Sequence, residues 1–138
     1  MGELVWSNFP ERERPIVPGP RHFGYVLHVG SLGADAYSAV LAYTTTSGLD
    51  ITGQLPRGLK AFDATEAEAF GHPQAFRLDL KRLAHVPITA AWFPDLDLPK
   101  KGIEGRMPKK LRISLQAELD DLLVKHKDLM GRLGPLWR

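Results

Sequence analysis

The chain alternates apolar and polar positions over most of its first 93 residues and changes period only near its end. In AFRLDLKR (75–82), Phe76, Leu78 and Leu80 fall on one face of a strand and Arg77 and Asp79 on the other. GELVWS (2–7) reads as a first strand with Leu4 and Trp6 on one face, and HFGYVLHV (22–29) and AYSAVLAYTTT (36–46) are β-rich runs. Between the first two lies NFPERERPIVPGP (8–20), whose prolines predict a stiff, shaped loop. GSLGAD (30–35) marks a turn, and Ser47-Gly48 ends the third run. Residues 51–63 predict one or two short strands broken by Pro56-Arg57-Gly58, and ATEAEAF (64–70) a turn or two of helix stopped by Gly71. Residues 73–80 predict a strand, 81–84 a bend, and HVPITAAWF (85–93) a further strand whose Pro87 assigns it to an edge or bulge.

Residues 94–108 read as a loop. From 109 to 130 the period becomes helical: Leu111, Leu115, Leu119, Leu122, Leu123 and Met130 form an apolar stripe, with Asp120, Asp121, Lys125 and Lys127 turned mainly to water. The prediction is a single mainly-β domain, six or seven short strands forming a compact, curled β domain followed by a C-terminal amphipathic helix.

Composition narrows the chemistry. At 138 residues, 43% hydrophobic and 25% charged, the chain suits one ordinary globular domain. It has no cysteine, which removes disulfides, thiolate catalysis and Cys-based zinc sites. It shows no apolar run near the ~18–20 residues of a membrane span and no secretory signal, and the lack of cysteine fits a cytoplasmic location. The net charge of +2 is too small to announce a nucleic-acid partner. Its distribution says more: basic residues gather around Arg21, around Arg77, Lys81 and Arg82, and from Lys100 to Arg112, which allows a phosphate-bearing partner. Solvated surface charge is the better account of each cluster taken alone. The five histidines have no metal-ligand spacing, so neither a metal nor a cofactor is expected.

Four segments, in order and spacing, resemble the MazF/PemK family of toxin endoribonucleases: GELVWSNF at the start, Gly19-Pro20-Arg21 closing the Pro-rich loop, AVLAYTTTSG, and RLDLKRL (77–83). The resemblance covers roughly residues 2–93, and the terminal helix falls where the family has one. It implies an SH3-like barrel, metal-independent cleavage of single-stranded RNA as the toxin of a type II toxin–antitoxin pair, a cognate antitoxin protein, and a homodimer. It further implies Arg21 on the scissile phosphate, Thr44 bonded at that phosphate or the 2′-OH, and Arg77 stabilising the developing charge. Asp79 would be the base or would orient Arg77. Arg82 would contact flanking phosphates or brace Asp79, with His22, Thr46 and Lys81 also on the RNA.

Two departures stand out. The family's loop Glu-Gln pair is replaced by Ile16-Val17-Pro18, and the proline after the arginine by His22, which could take over as acid or base. The competing reading is a member of this fold with impaired catalysis, binding a protein or nucleic acid. A third reading is an unrelated SH3-like adaptor, against which the scattered aromatics argue. Trp6 is expected in the core; Trp92 and Trp137 either pack or stack on bases.

Overall fold

The computed structural model describes residues 1–46, 55–95 and 103–137. Seven strands form one sheet: β1 (Glu3–Ser7), β2 (His22–Gly33), β3 (Ala36–Thr45), β4 (Leu59–Phe62), β5 (Phe76–Pro87), β6 (Ile103–Arg106) and β7 (Gly131–Leu133). Two α-helices, α1 (Ala64–Ala69) and α2 (Lys109–Lys125), and a 3-10 turn (Lys127–Leu129) are the helical elements among the described residues. The expected ends and starts at Ser47-Gly48 and Ile51 lie outside the described residues. Strand order is β4-β5-β3-β2-β1-β6, with β7 added parallel to β5 and every other pairing antiparallel. Among the described residues the path does not close on itself; the fold is mainly β.

Side-chain alternation gives the sheet two apolar faces. One carries Leu4, Phe23, Tyr25, Ala42, Phe76, Leu78 and Leu80 against Leu115, Leu119 and Leu122 of α2 and Phe70 beyond α1. The other carries Val5, Val26, Leu41, Ala84 and Val86 under Phe9, Trp92, Phe93 and Leu133. α1 starts at a capping box, Asp63 accepting from the Glu66 N–H while Glu66 reaches back to Asp63. α2 is tied to the β4 turn by Lys60–Glu118 (2.8 Å) and Arg57–Asp121 ion pairs.

Several boundaries differ from the sequence expectation. β2 runs on through residues 30–33, and its hairpin turns at Ala34 and Asp35, both with positive φ. The bend expected at 81–84 is a bulge: Ala42 pairs with Leu83 but Tyr43 with Asp79, so residues 80–82 face a single step of β3. β5 therefore continues unbroken to Pro87, and 88–93 is a turn closed by Thr89, whose carbonyl accepts from Trp92 and Phe93. The expected loop 94–108 contains β6, which pairs with β1. The helix expected to reach 130 ends at Lys125, and residues 131–133 add a strand to β5. In the predicted stripe Leu115, Leu119 and Leu122 are buried, while Leu123 sits at the surface with Val124.

Candidate functional site

The Pro-rich loop is shaped by folding back on the sheet. The Asn8 N–H donates to Trp92 O at 2.7 Å and its side chain to Ala91 O at 2.9 Å. The Gly19 N–H donates to Asn8 O, and a Cβ at Gly19 would lie 2.1 Å from Phe9 O, so only glycine fits before Pro20-Arg21. This places Phe9, buried, edge-on to Tyr43 with centroids 5.3 Å apart.

Tyr43 is the centre of the polar part of this face. The His22 ring stacks on it at 4.9 Å with planes 3° apart, and the Arg82 guanidinium lies 3.8 Å from its centroid. The bulge lies at this point: Ala42 pairs with Leu83 and Tyr43 with Asp79, so residues 80–82 are out of the ladder and Arg82 lies on the Tyr43 ring. Asp79 holds the bulge, its Oδ1 accepting from the Lys81 N–H at 2.9 Å. Arg77 lies opposite Thr45 on β3 and Ala61 on β4. Among the described residues neither Arg77 nor Arg82 has a carboxylate partner, and the Nε of each is buried without a hydrogen bond.

His22 is half-buried, and one ring nitrogen, Nε2, bonds to the Thr44 carbonyl. Burial lowers its pKa from the ordinary 6.5; Arg82 adds to the lowering and the Thr44 bond opposes it. The neutral ring is the form so favoured. With Nε2–H donating to Thr44 O, the Nδ1 lone pair remains as an acceptor with no partner among the described residues.

The predicted residues do not all gather here. His22, Arg77, Asp79 and Arg82 share this face. Thr44 does not: it is 0% exposed on the opposite face, its Oγ1 donating to Phe23 O at 2.6 Å. It is a core residue tying β3 to β2, with no route to a surface phosphate, and Thr45 takes the outward position. Lys81 lies beside Gly58 and Leu122, toward α2. Asp79 is occupied with the bulge and makes no ion pair with Arg77, whose side chain it does not orient. Arg21 sits 4.0 Å over the Trp6 ring and ion-pairs with Asp95 at 2.6 Å. Thr46 lines a small cavity with Trp6 and His22.

Trp6 is only partly buried, and Trp92 is buried, so packing is Trp92's role. Trp137 packs against His85 and Arg132. Sequence reasoning missed Phe9, Tyr43 and Asp95. Tyr43 shares the two-residue period of Leu41 and Thr45, and Phe9 is the one large aromatic of its loop; Asp95 left no signal. Among the described residues no cluster of His, Asp or Glu could hold a metal ion, and no helix is long and apolar enough to cross a membrane. Comparison of the chain with protein-family models, curated proteins and solved structures gives no match.

Proposed function

We propose that the chain is a metal-independent endoribonuclease acting on single-stranded RNA, a cytoplasmic toxin with the SH3-like barrel of the MazF/PemK family, restrained by an antitoxin and working as a homodimer. The observation that carries the reading is the face around Tyr43, where Arg82 adjoins His22, whose pKa burial lowers, and Arg77 lies on the same side of β5, both arginines half-buried without carboxylate partners among the described residues. Half-buried cations lacking acidic partners suit a phosphate ligand, whose oxygens match the guanidinium fork.

The chemistry follows from these groups. Nδ1 of His22 takes the proton of a ribose 2′-OH, and the 2′-oxygen attacks the adjacent phosphorus. Arg77 and Arg82 stabilise the added negative charge on the phosphorane. The P–O5′ bond then breaks, and the leaving oxygen takes a proton from solvent. The products are a 2′,3′-cyclic phosphate and a 5′-hydroxyl. Arg21 joins the phosphate contacts only by exchanging Asp95 for the ligand.

A second reading has its own support. Thr44 is sealed in the core and Arg21 is already paired, which favours a binding module of the same fold with impaired catalysis. Purified protein incubated with a single-stranded RNA pool in EDTA separates the two. The nuclease gives fragments ending in cyclic phosphate, lost in Arg77→Ala and Arg82→Ala. Binding without cleavage by folded, partner-free protein supports the module instead.

A further inference from the structure

Beside this face, at the end of the sheet where β2 begins, lies a cavity of about 150 Å³. Its walls include Trp6, Phe23, His22 and His72, and its rim carries Thr46 and Gln74. The floor is aromatic. Phe23 and His72 are 3% exposed each, with centroids 4.1 Å apart. The Phe23 ring meets Trp6 edge-on at 5.7 Å. The rim is exposed and polar, and a hydroxyl and an amide can each donate and accept. An apolar cavity of about this volume accommodates one six-membered aromatic ring.

His72 shapes the opening. Its Nδ1 lies 2.9 Å from Gln74 O and 3.2 Å from the Gln74 N, which fixes the backbone of residues 72–74 over the cavity. The Gln74 side chain has no partner among the described residues and is free to address an occupant. The guanidinium of Arg21 lies on Trp6, adding a cation at the same edge.

We infer that this cavity receives a single unstacked nucleobase of the RNA, seated among aromatic rings and read at its edge by Gln74 and Thr46. The inference rests on the ribonuclease reading for the identity of the polymer and deepens it. His22 belongs both to the cavity wall and to the Tyr43 stack, so a base held here puts its own ribose beside the base that removes the 2′-proton. The cavity therefore selects the nucleotide on the 5′ side of the cleaved bond. Aromatic rings make the seat tolerant, because every base has a π face; the rim supplies the discrimination.

The test has two arms. In the first, ¹⁵N-labelled protein is titrated with the four ribonucleoside 5′-monophosphates and with ribose 5-phosphate. At least one nucleotide should move the Trp6 indole N–H and the Gln74 amide, and ribose 5-phosphate should move neither. Trp6→Ala should weaken that nucleotide by about tenfold or more, as removal of a stacking platform does. Gln74→Ala, which leaves the His72 backbone bonds and the core intact, should weaken it severalfold. Identical shifts from ribose 5-phosphate, or none at Trp6 and Gln74 with any nucleotide, overturn the inference. In the second arm, fragment ends from the RNA pool are sequenced for wild type and Gln74→Ala, with a relaxed base preference 5′ of the cut expected in the variant. Nucleotide binding at Trp6 without RNA cleavage sinks the nuclease reading and leaves the base site standing. Cleavage with an unchanged preference and no Trp6 shift sinks the base site alone.

Discussion

The two sides of β5 are built from adjacent residues and obey different rules. Phe76, Leu78 and Leu80 are each 0% exposed and pack with α2 and β2, where apolar surface is withdrawn from water. Arg77 and Arg82 are half-buried on the other side with no carboxylate among the described residues to offset their charge, and Arg82 lies beside a histidine that is itself partly desolvated. One side lowers the free energy of the fold, while the other holds polar groups that the fold alone does not require. A side chain that does little for stability yet is held in place by stacking and a bulge points to a ligand.

The largest effect should come from the polar side. His22→Gln keeps an amide that can bond Thr44 O but supplies no base, and RNA cleavage should fall by about 10²–10⁴-fold with the melting temperature little changed. The pH profile sharpens this. His22 must be neutral to act, and burial lowers its pKa below 6.5, so the acid limb of kcat/KM should lie below pH 6.5. The stability sign agrees. The unfolded chain binds this proton first as pH falls, so stability is full above pH 6.5 and declines below it. His85, also lowered by burial, adds to that decline, and the decline should be smaller in His22→Gln. An acid limb above 6.5 would remove His22 from the role of base.

On the apolar side, Leu78→Ala should cost about 2–5 kcal/mol in urea unfolding, the range for a fully buried leucine that leaves a cavity. Thr44→Val comes next. It deletes a 2.6 Å hydrogen bond inside the core and leaves Phe23 O short of a partner, at about 1–2 kcal/mol. The cleavage rate of the folded variant should be unchanged. A loss of rate without a loss of stability would return Thr44 to the site.

Alternation in AFRLDLKR was enough to sort the two sides, because a strand's period is two and the apolar triplet is unambiguous. The same rule makes Thr45 the core candidate and puts Thr44 and Thr46 on the other face, and the structure reverses it, with Thr44 buried and Thr45 outward. Three threonines in a row carry no polarity contrast, and only pairing with β5 sets which faces the core. Residues 81–84 read as a bend because a bulge is a property of two strands, and one strand's sequence does not show its partner's register. β6 and β7 were missed for a related reason: each is three or four residues long and owes its existence to a partner far along the chain. The site was legible as a set of charges and illegible as an arrangement. Tyr43, to which His22 and Arg82 are both referred, looks in the sequence like any strand tyrosine.

The smallest effect is the most diagnostic. Arg77→Ala and Arg82→Ala each remove a half-buried charge that has no carboxylate partner among the described residues. Desolvation disfavours such a charge in the folded state, and truncation relieves it. Against this stands the lost packing of the stem and, for Arg82, the contact with Tyr43, worth about 0.5–2 kcal/mol. Arg82→Ala should therefore come out near neutral, and Arg77→Ala, with no ring beneath it, neutral or slightly stabilising. Both should weaken RNA binding, and each should reduce the slope of log K against log salt by about 0.7, the share of one phosphate contact on a single strand. If Arg77→Ala instead destabilises by about 2 kcal/mol or more and leaves the salt slope intact, the two sides of β5 serve the same end, and its charged side is structural.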